Sequence, residues 1–158
     1  MNARISTRLA CTETQLWQKI MDPESLRFVS SPILTFVPAD SDGFDDVWQV
    51  DRVYQLRLYF LSFIPLGRHS IQLVKIDQDS HTILSEERGL LVPVWNHRIH
   101  FQEVAPDVVN YTDEIEIKAG CLTLLIWLFA HIFYRHRQRR WKTLIQIDIS
   151  GQQDNSKP

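Results

Sequence analysis

Two short runs hold the residues best suited to chemistry. In Trp95-Asn96-His97-Arg98-Ile99-His100-Phe101 an extended backbone sends alternate side chains to opposite faces. Trp95, His97, Ile99 and Phe101 then share one face, apolar except for His97. In Tyr111-Thr112-Asp113-Glu114-Ile115 the same rule groups Tyr111, Asp113 and Ile115, continued by Ile117, and turns Thr112, Glu114, Glu116 and Lys118 to water. Ala105-Pro106-Asp107 is a turn signal that makes the two runs neighbours, with His97 opposite or diagonal to Asp113. A carboxylate on an inward face is costly unless it is paired or protonated, and His97, Tyr111 or a buried arginine could hold it. Such a pair can fix strand register, orient a ligand, or serve as a general acid and base.

Other chemistries fit less well. His97 and His100 stand three apart on a strand and so point to opposite faces, and His131 and His136 diverge on a helix. No metal site is expected, and nothing calls for a cofactor. The run Asp40-Ser41-Asp42-Gly43-Phe44-Asp45-Asp46 looks like part of a calcium loop but lacks the closing glutamate and the flanking helices; it reads as a solvated acidic turn. No GxSxG, phosphate-binding loop or GxGxxG is present, so binding is favoured over catalysis.

The elements that must position these residues follow from pattern. Ile5–Leu9 alternates as a first strand. Thr12 with Gln15 forms a capping box before a short helix with the stripe Leu16, Trp17 and Ile20. Asp22-Pro23-Glu24 opens a second short helix that turns Leu26 and Phe28 inward. Strands are expected at Ile33–Val37, Phe44–Val50, Val53–Phe60, Ser70–Ile76, Thr82–Glu87, Val94–Phe101 and Val109–Ile117. Turn signals separate them at Asp42-Gly43, Pro65-Leu66-Gly67, Asp77-Gln78-Asp79-Ser80, Arg88-Gly89 and Ala105-Pro106-Asp107. Short gaps imply antiparallel pairing. Gly120 ends the last strand, and a helix follows over Leu122–Ile145. The expected fold is α+β: a curved antiparallel sheet of six or seven strands around a long C-terminal helix, with a cavity where the two diverge. It forms one domain over 1–147, and 148–158 is a polar tail expected to be disordered.

At 100° per residue, Ala130, Tyr134, Trp141, Leu144 and Ile145, with Trp127, form the side of the long helix that grips the sheet. Leu125, Leu128, Phe129 and Ile132 form the opposite side and lead into Arg135, His136, Arg139 and Arg140. A helix apolar all round is normally covered on both sides. The short helices or a loop, a second copy of the chain, or an anionic membrane surface or partner protein could supply the cover.

The 158 residues suit one domain, and 44% hydrophobic with 23% charged residues excludes a disordered chain. The net charge of −2 hides a polarity, because residues 119–158 carry six basic and two acidic side chains. That basic set is one helix segment on an acidic domain, so nucleic acid is not an expected partner. Cys11 and Cys121 form no motif and are expected to be free thiols. The first ten residues lack the apolar core of a signal peptide, and Ala119–Tyr134 is too short to cross a bilayer. A cytoplasmic protein, with contact at a membrane surface left open, is the expectation.

The order of elements, with Leu16-Trp17-Gln18-Lys19-Ile20-Met21-Asp22-Pro23-Glu24, Trp95–Phe101, Tyr111-Thr112-Asp113-Glu114 and Tyr134-Arg135-His136-Arg137, resembles the helix-grip, START-like superfamily, also called SRPBCC, over residues 3–146. Polyketide cyclases, lipid-transfer domains and pollen allergens are among its members. The resemblance implies an internal pocket for a hydrophobic or amphipathic molecule, without implying one activity. The lining expected from pattern and resemblance together is Tyr54, Trp95, His97, Phe101, Tyr111, Asp113, Ile115, Trp127 and Tyr134. The alternatives are a cyclase- or dehydratase-like enzyme using His97 and Asp113, and an interaction module using the back of the long helix.

Overall fold

Local signals set the first elements. Strand β1 (Asn2–Leu9) alternates buried and exposed residues. Thr12 Oγ1 accepts from Gln15 N at 3.2 Å and Gln15 Oε1 accepts from Thr12 N at 3.0 Å, so the capping box forms and starts α1 (Glu13–Met21). Asp22 ends α1 and caps α2 (Pro23–Ser30) by accepting from Glu24 N at 2.9 Å. The computed structural model of the chain describes residues 1–39, 44 and 47–154, with side chains described as far as residue 148.

The strands that follow are β2 (Leu34–Pro38), β3 (Val53–Phe60), β4 (Ile64–Asp77), β5 (Thr82–Gly89), β6 (Val94–Ala105) and β7 (Val108–Lys118). A 3₁₀ turn at Gly120–Leu122 leads into α3 (Thr123–Asp154). All seven strands form one antiparallel sheet in the order β1-β7-β6-β5-β4-β3-β2. β2 to β7 are a meander of hairpins, and β1 closes it by pairing with β7. Helices α1 and α2 carry the chain from one sheet edge to the other. α3 lies against β1, β7 and α2, with Ala130, Phe133, Tyr134, Trp141 and Ile145 buried.

Three expectations change. The strand expected at Phe44–Val50 is absent among its described residues; Val50 alone makes an isolated bridge to Leu73. β3, which follows that segment, already pairs with β2 on one side and β4 on the other, so the segment does not join the sheet beside it. Its aromatic residues instead pack edge-on, with the Phe44 and Trp48 rings 5.7 Å apart and the Trp48 and Tyr54 rings 4.8 Å apart. Pro65-Leu66-Gly67 is a bulge within β4 rather than a turn. The register shifts there, Gly67 takes φ 95°, and the chain reverses earlier, at Leu61 and Ser62. The last helix continues past Ile145 to Asp154, through the first part of the expected tail, and Lys19 Nζ meets Asp148 Oδ1 at 2.7 Å. Residues 155–158 lie outside the described residues, as does the expected acidic turn at 40–46 apart from Phe44.

Candidate functional site

Cross-strand register builds the site in rows on the concave face. Asp113 stands opposite Ile5 on β1 and Ile99 on β6. One row along, His97 stands between Ile115 and Ser85. In the next row Glu87 stands between Trp95 and Ile71. His97 is therefore diagonal to Asp113, close enough for Nε2 to reach Asp113 Oδ1 at 2.8 Å.

Asp113 is fully buried and fully engaged. Tyr111 Oη donates to Oδ1 at 2.8 Å, and Gln138 Nε2 donates to Oδ2 at 3.1 Å and to Ile5 O at 2.7 Å. Burial alone would raise the Asp113 pKa. The His97 hydrogen bond, the Arg137 charge and the other donors outweigh it and hold the carboxyl below its ordinary range. Tyr111 is pushed well above its ordinary pKa by burial and by Asp113, so it stays protonated as a donor.

A second carboxylate lies on the other side of His97. Glu87 Oε2 is 3.1 Å from His69 Nε2, Ser85 Oγ donates to Glu87 Oε1 at 2.9 Å, and His97 Nδ1 lies 3.9 Å from Oε1. Here too burial works to raise the pKa, and the His69 hydrogen bond with the charges of His69 and His97 holds it below the ordinary value. Arg137 completes the cluster from α3. Burial opposes its charge, and Tyr111, Asp113, Tyr134 and Glu87 around it keep it protonated. Its guanidinium lies 5.5 Å from the Tyr134 ring centre, and Tyr134 Oη accepts from Trp95 Nε1 at 3.1 Å.

Beside this cluster α3 and the sheet diverge and enclose a cavity of about 360 Å³. Its walls are apolar: Leu34 and Phe36 of β2, Leu58 and Phe60 of β3, Leu66 of β4, Leu90–Val92 after β5, Trp95, and Ile126, Phe129, Phe133 and Tyr134 of α3. His69, Glu87 and Arg137 form the polar part of the lining, with Arg68 from β4. A smaller pocket of about 60 Å³ shares Leu26, Glu87 and Arg137 with it and continues toward Trp48, His97 and Trp141. A wider groove of about 570 Å³ runs across the outward sheet face. Arg4 and Arg98 there lie 3.4 Å and 3.6 Å from Glu114, the pattern of a solvated charged surface rather than a ligand site.

Among the residues expected to line the cavity, Trp95 and Tyr134 do so, and His97 lines the smaller pocket. Asp113 and Tyr111 are sealed behind them. Phe101 is buried against Trp17 and His81, and Tyr54 against Trp48. Ile115 is buried and borders the outer groove, while Trp127 donates to Asn2 O at 2.8 Å at the start of β1. Phe129, expected on the back of α3, borders the cavity and packs on Phe60 and Phe133. His136 meets Ser31 O at 2.8 Å and Arg140 donates to Phe28 O at 3.2 Å, so α2 covers the second half of that back. Leu125, Leu128 and Ile132 remain exposed, and no described helix is long and apolar enough to cross a membrane.

Sequence reasoning passed over His69, Glu87, Arg137 and Gln138. The signals were present. His69 alternates with Ile71 and Leu73, and Glu87 with Ile83 and Ser85. Arg137 and Gln138 fall between Tyr134 and Trp141 at helical spacing.

The fold has relatives among solved structures. Protein CV1439 from Chromobacterium violaceum superposes with TM-score 0.71 at 10% identity, covering 91% of this chain and 96% of that one. Protein Ms6760 from Mycobacterium smegmatis gives 0.69 at 14% identity, covering 90% and 89%. A START superfamily protein from Mycobacterium smegmatis gives 0.65 at 13% identity, covering 92% and 97%. No curated protein matches the sequence. A family model described as Domain of unknown function (DUF8410) matches residues 7–144. With nearly all of the sheet and the gripping part of α3 inside that match, the chain belongs to the DUF8410 family, and its architecture is the START-like helix-grip fold.

Proposed function

We propose that the protein binds a small hydrophobic or amphipathic molecule, non-covalently, in the cavity between α3 and strands β2 to β5. The observation that carries this reading is a cavity of about 360 Å³ with aliphatic and aromatic walls and a few polar groups, the character usual for ligand pockets. Catalysis by His97 and Asp113 has less support, because Asp113 is fully buried and borders neither cavity. Binding of the neutral dye Nile red tests the reading. Leu66→Trp, which places an indole in the cavity, should weaken binding about tenfold or more while the chain stays folded. Unchanged dye binding in that variant would sink it.

A second reading concerns the mouth. Leu90 and Leu125 line the cavity and are 79% and 65% exposed, and Leu91 beside them is 48% exposed. Apolar side chains at a cavity mouth suit docking on a membrane from which a ligand could pass, and Arg135 and Arg139, exposed further along α3, favour an anionic one. Co-sedimentation with phosphatidylglycerol vesicles should occur for the native chain and be lost in Leu90→Ser/Leu125→Ser. A concentration-dependent mass, abolished by the same substitutions without any vesicle binding, would assign the patch to a homodimer instead.

A further inference from the structure

The polar end of the cavity has an imbalance that indicates ligand chemistry. Glu87 and Asp113 each hold an imidazole, and each has a further hydrogen-bond donor. Arg137 is only 6% exposed, yet among the described residues no protein acceptor takes a hydrogen bond from its Nε, and its guanidinium forms no ion pair within 4.0 Å. A guanidinium presents five donors in a planar fork, and burying one without acceptors is costly. The side chain borders both the large cavity and the small pocket.

The surroundings narrow what could meet it. Ser85 and His69 already occupy Glu87, and the Arg137 charge beside it disfavours a cationic head group. Glu87 in turn disfavours a doubly charged phosphate, because Arg137 is the one buried guanidinium among the described lining residues. A singly charged planar oxyanion matches the fork in shape and charge. The small pocket, about 60 Å³ against about 360 Å³ for the cavity, leaves the cavity as the space for an apolar chain. We propose that the ligand is an amphipathic monocarboxylic acid, its carboxylate on the Arg137 guanidinium and its apolar chain in the larger cavity. This deepens the binding reading above and rests on that cavity being the site.

Displacement of Nile red by decanoate and by decanol, from the native chain and from Arg137→Gln, tests it. The substitution should weaken decanoate about tenfold or more, the usual worth of charge-assisted hydrogen bonds, and change decanol by less than about threefold. Carboxyl-labelled decanoate bound to the native chain gives a second readout by carbon NMR: its carboxyl should titrate below that of the free acid. That measurement decides the matter if Arg137→Gln fails to fold. Decanoate and decanol affected alike, or a bound carboxyl titrating at or above the free acid, would overturn the carboxylate assignment and leave the cavity as the site. Failure of Nile red, decanoate and decanol to bind the native chain would overturn both.

Discussion

The two halves of the space under α3 use similar residues to opposite ends. Toward β1 and β7 the buried carboxylate is fully matched: Asp113 takes hydrogen bonds from His97, Tyr111 and Gln138, and Gln138 also secures Ile5. Toward β2 to β5 the helix and sheet separate, the walls are apolar, and Arg137 Nε has no protein acceptor among the described residues. The difference lies in satisfaction rather than in polarity. A buried charge with all its partners stabilises and specifies the fold, whereas one left short of partners is available to a ligand. His97 touches both halves, with one ring nitrogen on Asp113 and the other facing Glu87.

Substitutions should divide along this line. The largest loss belongs to the matched half. Asp113→Ala strands three donors and should cost about 3–5 kcal/mol in urea unfolding. Asp113→Asn and His97→Gln should each cost about 1–3 kcal/mol, and the double variant less than their sum; strict additivity would break the claim that they form one unit. Acid should act through the same groups. The folded-state pKa values of Asp113 and Glu87 lie below the ordinary 3.8 and 4.5. The stability they contribute is complete above those ordinary values and is lost as pH falls through the lower folded values. Unfolding free energy measured below pH 3.8 should therefore decline more gently in Asp113→Asn.

The next effect compares neighbours on one strand. Leu56 is 1% exposed, and Leu56→Ala should cost about 2–5 kcal/mol. Leu58, half-buried on the cavity wall, should cost clearly less, because the space beside it already exists. Equal losses would show that the cavity is closed in solution. The smallest effect is expected at the mouth, where Leu90→Ser should shift stability by no more than about 0.5 kcal/mol. Thiol reactivity gives a parallel contrast. Cys121 is exposed and should label quickly in the folded protein. Cys11 should label only on unfolding, since burial pushes its thiol up to about 11.

Most of the fold was legible because its signals are local. The bounds of β3 follow from alternation, and those of α1 and α2 from Thr12, Gln15, Asp22 and Pro23. The failures came where tertiary competition decides. Phe44–Val50 has a strand's alternation, but the adjacent β3 is already paired on both sides. Pro65-Leu66-Gly67 has a turn's composition but sits opposite Leu58 and Tyr59 as a bulge. The site was half legible. Inward alternation located His97 and Asp113 but did not reveal which inward groups border open space. That depends on where α3 leaves the sheet, near Phe129 and Phe133, and no residue pattern encodes this divergence. Glu87 and Arg137 were hidden by the habit of assigning charged residues to water.

The placement of β1 and β2 at opposite edges of the sheet has a kinetic consequence. From β2 to β7 each strand pairs with its neighbour in sequence, whereas β1 reaches β7 across a separation of 106 residues, as at Ser6 and Thr112. Loop closure over that span is entropically costly and is unrewarded until the meander exists. The hairpins should therefore assemble first, with β1 joining after the rate-limiting step. Weakening β1, for instance by Ile5→Val, should speed unfolding and leave the folding rate nearly unchanged, whereas Ile99→Val in the meander should slow folding.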